Sequence, residues 1–364
     1  MQADFAVIGG GVVGLSIAHG LLKQGKTVVC IDGTDSDFRA SRGNFGLVWI
    51  QSKGIGHAPY AAWTQKAVRR YRGFVDQLKA DTGIEVSYQQ TGGYEYFVDD
   101  AALQARAASF EQLKQDLGGD YPYEVFDRDR IKHEEPAVGP LVCGATFYPE
   151  DGHINPLQLL HALAHACVDL GFVHLTGRKV VGATQGDAGF SLTLDNQQTV
   201  RAERVVVAAG LGAKVLGPMF GFRGLVMPQR GQVLVTEKLP KLVNRPSLTV
   251  RQVNEGAIQI GDSKEDVGYD DSETVPTTAS IAARAIKVIP ALKSARLVRT
   301  WAALRVMSPD GLPIYQKSTQ CPGAALVTCH SGISLAAAHS ELLSGWLLDQ
   351  PTAPDLAYFS EDRF

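Results

Sequence analysis

The chain has 364 residues, 45% of them hydrophobic, and a formal net charge of −3. This length allows a large core and favours two domains. The slight negative charge argues against nucleic acid and anionic membranes as partners, because both require a basic surface. No apolar run is long enough to span a bilayer. Since only Met1, Gln2 and Ala3 precede the first predicted strand, we expect no signal peptide and a cytoplasmic location.

The cysteines and histidines give no indication of a metal centre. Neither a CxxC pair nor an HExxH spacing occurs, so zinc and iron–sulfur sites lack their usual ligands. His161 and His165 lie four residues apart on a predicted helix, but no third ligand is evident. We therefore predict no metal in this chain, and we interpret Cys30 and Cys167 as small buried thiols.

The first 32 residues follow the pattern of a dinucleotide-binding unit. The sequence predicts a strand over 4–8, a glycine-rich turn over 9–14, a helix over 15–23 and a second strand over 27–31, which ends at Asp32.

The glycine positions suit a bound dinucleotide. Gly9 makes the tight turn, Gly11 lets the backbone approach a pyrophosphate, and Gly14 lets the helix pack closely against the strand. At the start of the helix, next to Val12 and Val13, unpaired N–H groups and about half a positive charge face the phosphates.

Asp32 completes this motif. It lies 18 residues after Gly14, where a carboxylate can accept hydrogen bonds from an adenosine ribose. We interpret the pattern as a dinucleotide site, and the alternative is an ordinary βαβ turn. The motif by itself would serve NAD as well as FAD.

The next part of the chain is predicted to be mainly helical. Apolar residues recur every three or four positions over 58–80, which predicts a helix. A strand is predicted over 94–98, and further helices are predicted over 101–117 and 157–170.

From residue 172 the pattern becomes rich in strands. The apolar run over 204–208 is typical of a buried parallel strand, and it ends at Ala209 and Gly210, where small residues let a cofactor lie close to the backbone. Alternating residues over 232–235 and 257–260 indicate a half-exposed antiparallel sheet. The other elements predicted here are strands over 172–175, 179–183 and 190–194 and a helix over 278–289.

Residues 301–314, WAALRVMSPDGLPI, resemble the motif W-x-G-L-R-P-x-T-P-D-G-x-P-x-I of the D-amino acid oxidase superfamily. Residues 135–137, 151–156 and 330–336 match further motifs of this family, in the family's order and across essentially the whole chain. The family includes glycine and sarcosine oxidases, hydrogen cyanide synthase subunits, and the smaller subunits of opine and D-hydroxyproline dehydrogenases.

The resemblance implies an α/β fold with two domains. A Rossmann-like FAD-binding domain is expected from the discontinuous segments 1–80, 145–220 and 302–364. An α+β substrate domain with an antiparallel sheet is expected from residues 81–144 and 221–301.

The resemblance also implies which residues bind FAD. The loop after the second strand matches the family motif S-G-R-N-x-G, which lies beside the phosphates and the flavin, although one member of it, Arg42, could instead be a surface charge. The other implied FAD-binding residues lie in three places. Val180 resembles the residue whose backbone contacts adenine, Ala209 and Gly210 follow the apolar run over 204–208, and the rest lie in the turn after residue 329. The implied set, beyond the opening motif, is Ser41, Arg42, Asn44, Gly46, Val180, Ala209, Gly210, His330, Ser331, Gly332, Ile333 and Ser334.

The turn after residue 329 is expected to act on the flavin through its backbone. We predict that residues 332–334 open a helix over 335–348, whose N-terminal N–H groups would stabilise negative charge on the reduced flavin. This sequence departs from the family in having Ala337 where proline is frequent, and in having a shorter loop before the glycine.

Arg305 is the predicted substrate-binding residue. In glycine oxidase-like members the arginine of this motif holds the substrate carboxylate, and the alternative is a structural ion pair. Tyr94 and Arg251 fall on the predicted substrate sheet and are candidates for lining the pocket, with packing or surface exposure as the alternative.

The resemblance favours an oxidoreductase that acts on an amino acid or N-substituted amino acid. No cysteine occurs near Arg305, where covalent members attach their flavin, so we expect non-covalent FAD. Residues 41–49 and 330–332 resemble the smaller subunits of heteromeric opine or D-hydroxyproline dehydrogenases. A larger flavoprotein partner, with a second flavin or an iron–sulfur centre, would then accept the electrons. The alternatives are a stand-alone glycine or sarcosine oxidase and a non-catalytic, FAD-carrying assembly subunit.

Overall fold

The computed structural model describes residues 1–364. The strands, in chain order, are β1 Gln2–Ile8, β2 Val28–Asp32, β3 Leu47–Val48, β4 Gly93–Phe97, β5 Glu124–Asp127, β6 Gly144–Tyr148, β7 Gly152–His153, β8 Val173–Thr176, β9 Val180–Gly186, β10 Gly189–Leu194, β11 Thr199–Val207, β12 Met227–Lys238, β13 Val250–Gln252, β14 Ala257–Ile260, β15 Leu297–Met307, β16 Ile314–Lys317 and β17 Ala324–Thr328. The α-helices are α1 Val12–Lys23, α2 Ala58–Val68, α3 Tyr71–Thr82, α4 Asp100–Asp116, α5 Arg128–Glu134, α6 Pro156–Asp169, α7 Ala213–Leu216, α8 Val275–Val288, α9 Ala336–Glu341 and α10 Leu343–Leu347.

The largest sheet has eight strands, with the main order β16-β17-β11-β1-β2-β8. Strands β1, β2, β8, β11 and β17 run parallel, whereas β16 is antiparallel at one edge. The hairpin of β9 and β10 is joined to β11. The central parallel strands β1, β2, β11 and β17 are buried on both faces over most of β2 and β17 and over the carboxyl-terminal parts of β1 and β11, which explains the apolar runs there.

Two antiparallel sheets lie outside this parallel sheet. One has the order β13-β14-β12-β15 and the other the order β4-β6-β5. Their side chains form a separate hydrophobic cluster that includes Tyr94, Phe126 and Leu234. The predicted fold class, α/β with a parallel sheet and separate antiparallel sheets, is confirmed.

The predicted domain division stays a prediction, and two of its boundaries fall inside strands. Residue 145 is the second residue of β6, which pairs with β4 and β5. The boundary between 301 and 302 divides β15, which pairs continuously with β12 from Thr300 to Met307. Because the strands are hydrogen-bonded as units, the sheet pairing would place each boundary at a strand end.

Two predicted helices are each divided in the structure. The region 58–80 contains α2 and α3, separated at Arg69 and Arg70. The predicted helix over 335–348 is α9 followed by α10, with an irregularity between them at Leu342, where φ is −114°. The carboxyl-terminal helices pack against α1 so closely that a Cβ on Gly20 would lie 2.0 Å from the Ser340 carbonyl oxygen. None of the helices is both long enough and apolar enough to cross a membrane.

Candidate cofactor groove and substrate side

A groove of about 1070 Å³ lies at the carboxyl ends of β1, β2 and β17. It is lined by most of the residues that the sequence predicts to bind a cofactor: Gly9, Gly11, Val12, Val13, Asp32, Ser41, Arg42, Asn44, Val180, Ala209, Gly210, His330, Gly332 and Ile333. Tertiary structure thus brings together segments that are more than 300 residues apart in the chain. Four of the predicted residues, Gly14, Gly46, Ser331 and Ser334, are not part of the groove wall.

The turn between β1 and α1 requires glycine at two positions. Gly9 has a φ of +114°, and a Cβ there would lie 2.4 Å from the Ala208 carbonyl oxygen. A Cβ on Gly14 would lie only 1.9 Å from the carbonyl oxygen of Gly9. The first turn of α1 therefore packs directly on the strand end, as the glycine spacing predicts.

This turn presents free backbone donors to the groove. The N–H groups of Gly10, Gly11 and Val13 have no hydrogen-bond acceptor within the chain. The N–H group of Val12 instead donates to Ser41 Oγ at 3.0 Å. Three free donors at a helix N-terminus fit a pyrophosphate, and Ser41 ties the following loop to the same helix end.

Asp32 carries an ion pair that the sequence analysis did not include. Arg39 Nη1 donates to Asp32 Oδ2, and its other terminal nitrogen donates to the carbonyl oxygens of Gly33 and Thr34 at 2.8 Å each. Arg39 therefore closes the loop after β2 around the acid. Asp32 Oδ1 accepts no hydrogen bond within the chain, so it is available to a ribose hydroxyl.

The loop over 41–46 is held by a local turn and by a contact with β15. Asn44 Oδ1 accepts a hydrogen bond from the Gly46 N–H at 2.7 Å, and Trp301 Nε1 donates to the Gly43 carbonyl oxygen at 3.0 Å. Gly46 has a φ of +90°, and a Cβ there would lie 2.6 Å from Arg251 Nη2. Gly46 thus gives room to a buried guanidinium and does not itself reach the groove.

Arg42 matches its alternative interpretation as a surface charge. Its Nη2 lies 2.8 Å from Asp35 Oδ1, and both side chains are largely exposed, at 48% and 82%. Arg42 and Asp35 both lie on the wall of the groove, at its solvent-exposed edge, and the guanidinium is paired there with a carboxylate.

The turn after β17 also presents free backbone donors. The N–H groups of Gly332, Ile333 and Ser334 have no acceptor within the chain. The helix predicted from residue 335 begins one residue later, at Ala336, and these donors belong to the turn that leads into α9. Burial and nearby positive charges lower the pKa of His330 well below its usual value, so its imidazole is neutral.

Side chains from other segments hold this turn in place. Tyr71 donates to the Ile333 carbonyl oxygen at 2.8 Å, and Ser334 Oγ accepts from the Trp49 N–H at 3.0 Å. Ser331 Oγ accepts a hydrogen bond from Lys53 Nζ at 2.7 Å and lies 2.6 Å from the hydroxyl of Tyr60. Ser331 and Ser334 therefore position the turn and do not line the groove.

Arg305 is already paired within the chain. Its Nη2 lies 2.6 Å from Asp262 Oδ2, and its Nη1 donates to the Arg230 carbonyl oxygen at 3.1 Å. The guanidinium lies across Gly231, where a Cβ would be 2.4 Å from Nη2. This geometry matches the structural ion pair that was the alternative, although two bonds leave other donors of the guanidinium free.

Arg251 lines a second, smaller cavity of about 470 Å³ beside the groove. It is 2% exposed, donates to Gln259 and to the Ile154 carbonyl oxygen, and has no carboxylate partner. Burial lowers the pKa of Arg251 to about 9. Arg251 therefore lines a cavity, and its role in substrate binding stays a prediction.

Tyr94 does not lie where a pocket residue would. It is fully buried among aromatic rings, stacks on Tyr96, and accepts a hydrogen bond from Arg245 Nη1 at 3.1 Å. It lines neither cavity. The physical reason is the strand period of two, which points Tyr94 into the aromatic core and the next residue, Glu95, to the opposite face.

Several charged residues near these cavities were missed by the sequence analysis. Lys53, Asp262 and the Glu95–Arg106 ion pair come from different segments, and no local motif connects them. Only Arg39 could have been found from the sequence, because it is a cation that lies seven residues after Asp32, the acid that ends β2. The structure brings no group of three or more His, Cys, Asp or Glu side chains together in a way that could hold a metal ion.

The fold and the groove are those of a dinucleotide-binding protein, and comparison with known proteins gives the family. The model of the family DAO, described as FAD dependent oxidoreductase, matches residues 4–346. The chain belongs to this family, which confirms the family resemblance seen in the sequence.

Individual relatives in this family are similar to the chain over nearly its full length. The chain is 38% identical over 365 residues to the B subunit of opine oxidase from Agrobacterium tumefaciens (strain Ach5), with 100% of this chain and 98% of that protein covered. It is 27% identical over 405 residues to hydrogen cyanide synthase subunit HcnC of Pseudomonas aeruginosa, with 99% and 96% covered. The crystal structure of glycine oxidase from Geobacillus kaustophilus has the same fold, with a TM-score of 0.92 at 23% identity and coverage of 100% and 99%.

Proposed function

We propose that this chain binds FAD non-covalently and oxidises the C–N bond of an amino acid or an N-substituted amino acid of the opine type. The observation that carries the proposal is the groove with free backbone donors at both ends, Gly10 and Gly11 at one and Gly332 and Ile333 at the other. The substrate class is supported by the full-length similarity to a protein named as a component of opine oxidase.

The fit of FAD to this groove depends on backbone groups. The donors at the start of α1 would hold the pyrophosphate, and Asp32 Oδ1 would accept from the ribose. Donors of the turn over 332–334 would face the pyrimidine end of the flavin and favour negative charge there. The chemistry that bound FAD supplies is acceptance of a hydride from the α-carbon of the substrate.

Arg305 has the chemistry to bind the substrate carboxylate with donors that Asp262 and Arg230 leave free. Its positive charge would also favour the neutral form of the substrate nitrogen, which is the form that can lose a hydride. No strong acid or base is required of the chain for this step.

The electrons that the flavin accepts must pass to a further acceptor. Because two relatives are named as subunits, we infer that a larger partner accepts the electrons, through a second flavin or an iron–sulfur centre of its own. A stand-alone oxidase of the glycine or sarcosine type would instead form hydrogen peroxide rapidly, without a partner. A non-catalytic FAD carrier would show neither reaction.

The test is anaerobic bleaching of the bound flavin. The FAD-loaded chain is mixed with glycine, sarcosine, D-amino acids, D-hydroxyproline and opines, and the loss of blue-light absorbance is followed. We expect opines or D-hydroxyproline to bleach the flavin, with slow peroxide formation in air. Bleaching by glycine or sarcosine with fast peroxide formation would establish the stand-alone oxidase. Failure of every amine with a fully loaded protein would contradict catalysis by this chain alone.

Replacing Arg305 with alanine tests the substrate contact. A charge-assisted hydrogen bond contributes about 1.5–3 kcal/mol, so loss of a bidentate contact should slow flavin reduction by about 10²–10⁴-fold. FAD content should stay unchanged, because Arg305 does not line the groove. The exposed Arg296 provides the matched control, and Arg296→Ala should reduce its flavin at the wild-type rate. An unchanged rate in Arg305→Ala would leave the ion pair with Asp262 as the only function of this residue.

A further inference from the structure

A cluster of charged side chains lies on the substrate side of the turn after β17. It comprises Lys53, Lys264 and the ion pairs of Arg305 with Asp262 and of Arg106 with Glu95. It adjoins Ser331 through the 2.7 Å hydrogen bond from Lys53. These residues come from five separate chain segments, so only the fold assembles the cluster.

The carboxylates in this cluster are already neutralised. Glu95 pairs with Arg106 at 3.1 Å, and Asp262 pairs with Arg305 at 2.6 Å. Lys53 forms no ion pair, and its only hydrogen-bond partner is the neutral hydroxyl of Ser331. The cluster therefore has positive charge in excess.

Lys53 is the partly buried member of the cluster without a counter-ion. Burial and the positive charges of Lys264 and Arg305 lower the pKa of Lys53 to about 8. Holding an ammonium group here without an anion is unfavourable, and a bound carboxylate would relieve both the desolvation and the repulsion.

We propose that Lys53 binds the second carboxylate of a substrate that carries two, while Arg305 holds the first. Lys53 is thereby the residue that selects N-substituted amino acids with a carboxylate on each side of the nitrogen. This inference rests on the proposed function, because it assigns a substrate class to the same site.

Glutarate and butyrate are suitable probes. Glutarate has three carbons between its carboxylates, in place of the C–N–C unit of an N-(carboxyalkyl) amino acid, and butyrate lacks the second carboxylate. Neither has a C–N bond to oxidise, so binding to the FAD-loaded chain can be measured by calorimetry without turnover. Binding and catalysis are then tested separately.

The expected result is a preference for glutarate that depends on Lys53. Wild-type protein should bind glutarate at least about tenfold more tightly than butyrate, because a hydrogen bond to a charged group contributes about that much or more. Lys53→Met should remove this preference and change butyrate binding less than about threefold, and Lys53→Arg should restore part of it. The matched control is the exposed Lys79, where Lys79→Met should leave both affinities unchanged.

Two results would overturn the inference. One is equal binding of glutarate and butyrate by the wild type, and the other is a glutarate preference that survives in Lys53→Met. A Lys53-dependent preference together with no bleaching by any amine would support the dicarboxylate site and contradict only the proposed oxidation. Bleaching by opines without a Lys53-dependent preference for glutarate would support the proposed oxidation and contradict the dicarboxylate site.

Discussion

The two ends of the cofactor groove present the same chemical group, free backbone N–H donors, but they are built in different ways. At the turn between β1 and α1, one short segment supplies the strand, the glycines and the helix. At the turn over 332–334, the donors are held by Tyr71, by Trp49 through Ser334, and by Lys53 through Ser331. One end is specified locally and the other by long-range contacts.

The difference explains which predictions succeeded. A glycine pattern reports on backbone geometry within a few residues, so the first turn could be predicted with its individual glycines. The second turn was predicted, from its resemblance to a family motif, to open a helix over 335–348, and in the structure it is a turn that precedes α9 at Ala336. Its actual geometry depends on partners more than 200 residues away in the chain.

The strongest test of the local end is Gly14→Val. Its side chain would begin 1.9 Å from the Gly9 carbonyl oxygen, so the backbone must move. We expect loss of most of the bound flavin and destabilisation by about 3 kcal/mol, since overpacking against backbone has a cost of this size. Flavin absorbance per polypeptide and thermal unfolding measure both effects.

The matched control for this variant is Gly73→Val. Gly73 is also helical, in α3, but a Cβ there would meet no atom within 4 Å. Flavin content should be that of the wild type. If Gly14→Val retained its flavin as well, close packing at the first turn would not be needed for cofactor binding.

The long-range end is tested by His339→Gln and its pH dependence. His339 lies in α9 beside the turn, with its Nε2 2.8 Å from the Tyr315 hydroxyl, and burial lowers its pKa to about 3. Because the pKa of His339 is lower in the folded chain, the unfolded chain binds a proton at this residue more readily than the folded chain below about pH 6.5. The free energy of unfolding therefore decreases as the pH falls from about 6.5 towards 3.

The variant removes this acid sensitivity. Relative to the wild type, the free energy of unfolding of His339→Gln should rise by about 2 kcal/mol between pH 7 and pH 5. Urea unfolding at the two pH values measures this difference. If the difference in free energy of unfolding between His339→Gln and the wild type were the same at pH 7 and pH 5, His339 would bind its proton as readily in the folded chain as in the unfolded chain.

The smallest effect is expected for Arg42→Ala. Arg42 pairs with Asp35 at the surface, and exposed pairs contribute about 0–1 kcal/mol to stability. We expect the FAD dissociation constant to change by less than about fivefold, which corresponds to this range. A tenfold or larger loss of FAD affinity would show that the guanidinium moves to the pyrophosphate when FAD binds, as the family motif implies.

The sequence by itself determined the family, the parallel sheet and most of the groove. Residues 9–14 and Asp32 form a motif whose parts act within one βαβ unit, so spacing was sufficient. The apolar runs of β1, β2 and β11 identified buried parallel strands, because such strands have no polar face. Even the distant residues His330 and Gly332 could be placed, through their resemblance to a family motif.

Only the tertiary structure decided where the charges lie. The pairs of Arg305 with Asp262 and of Arg39 with Asp32, and the unpaired Lys53, could not be read from the chain, since a long flexible side chain finds its partner after the backbone is folded. Tyr94 was misplaced for a related reason, because the face that a strand residue presents depends on the register of its sheet. Backbone geometry follows from neighbouring residues, whereas electrostatics depends on distances between segments that only folding brings together.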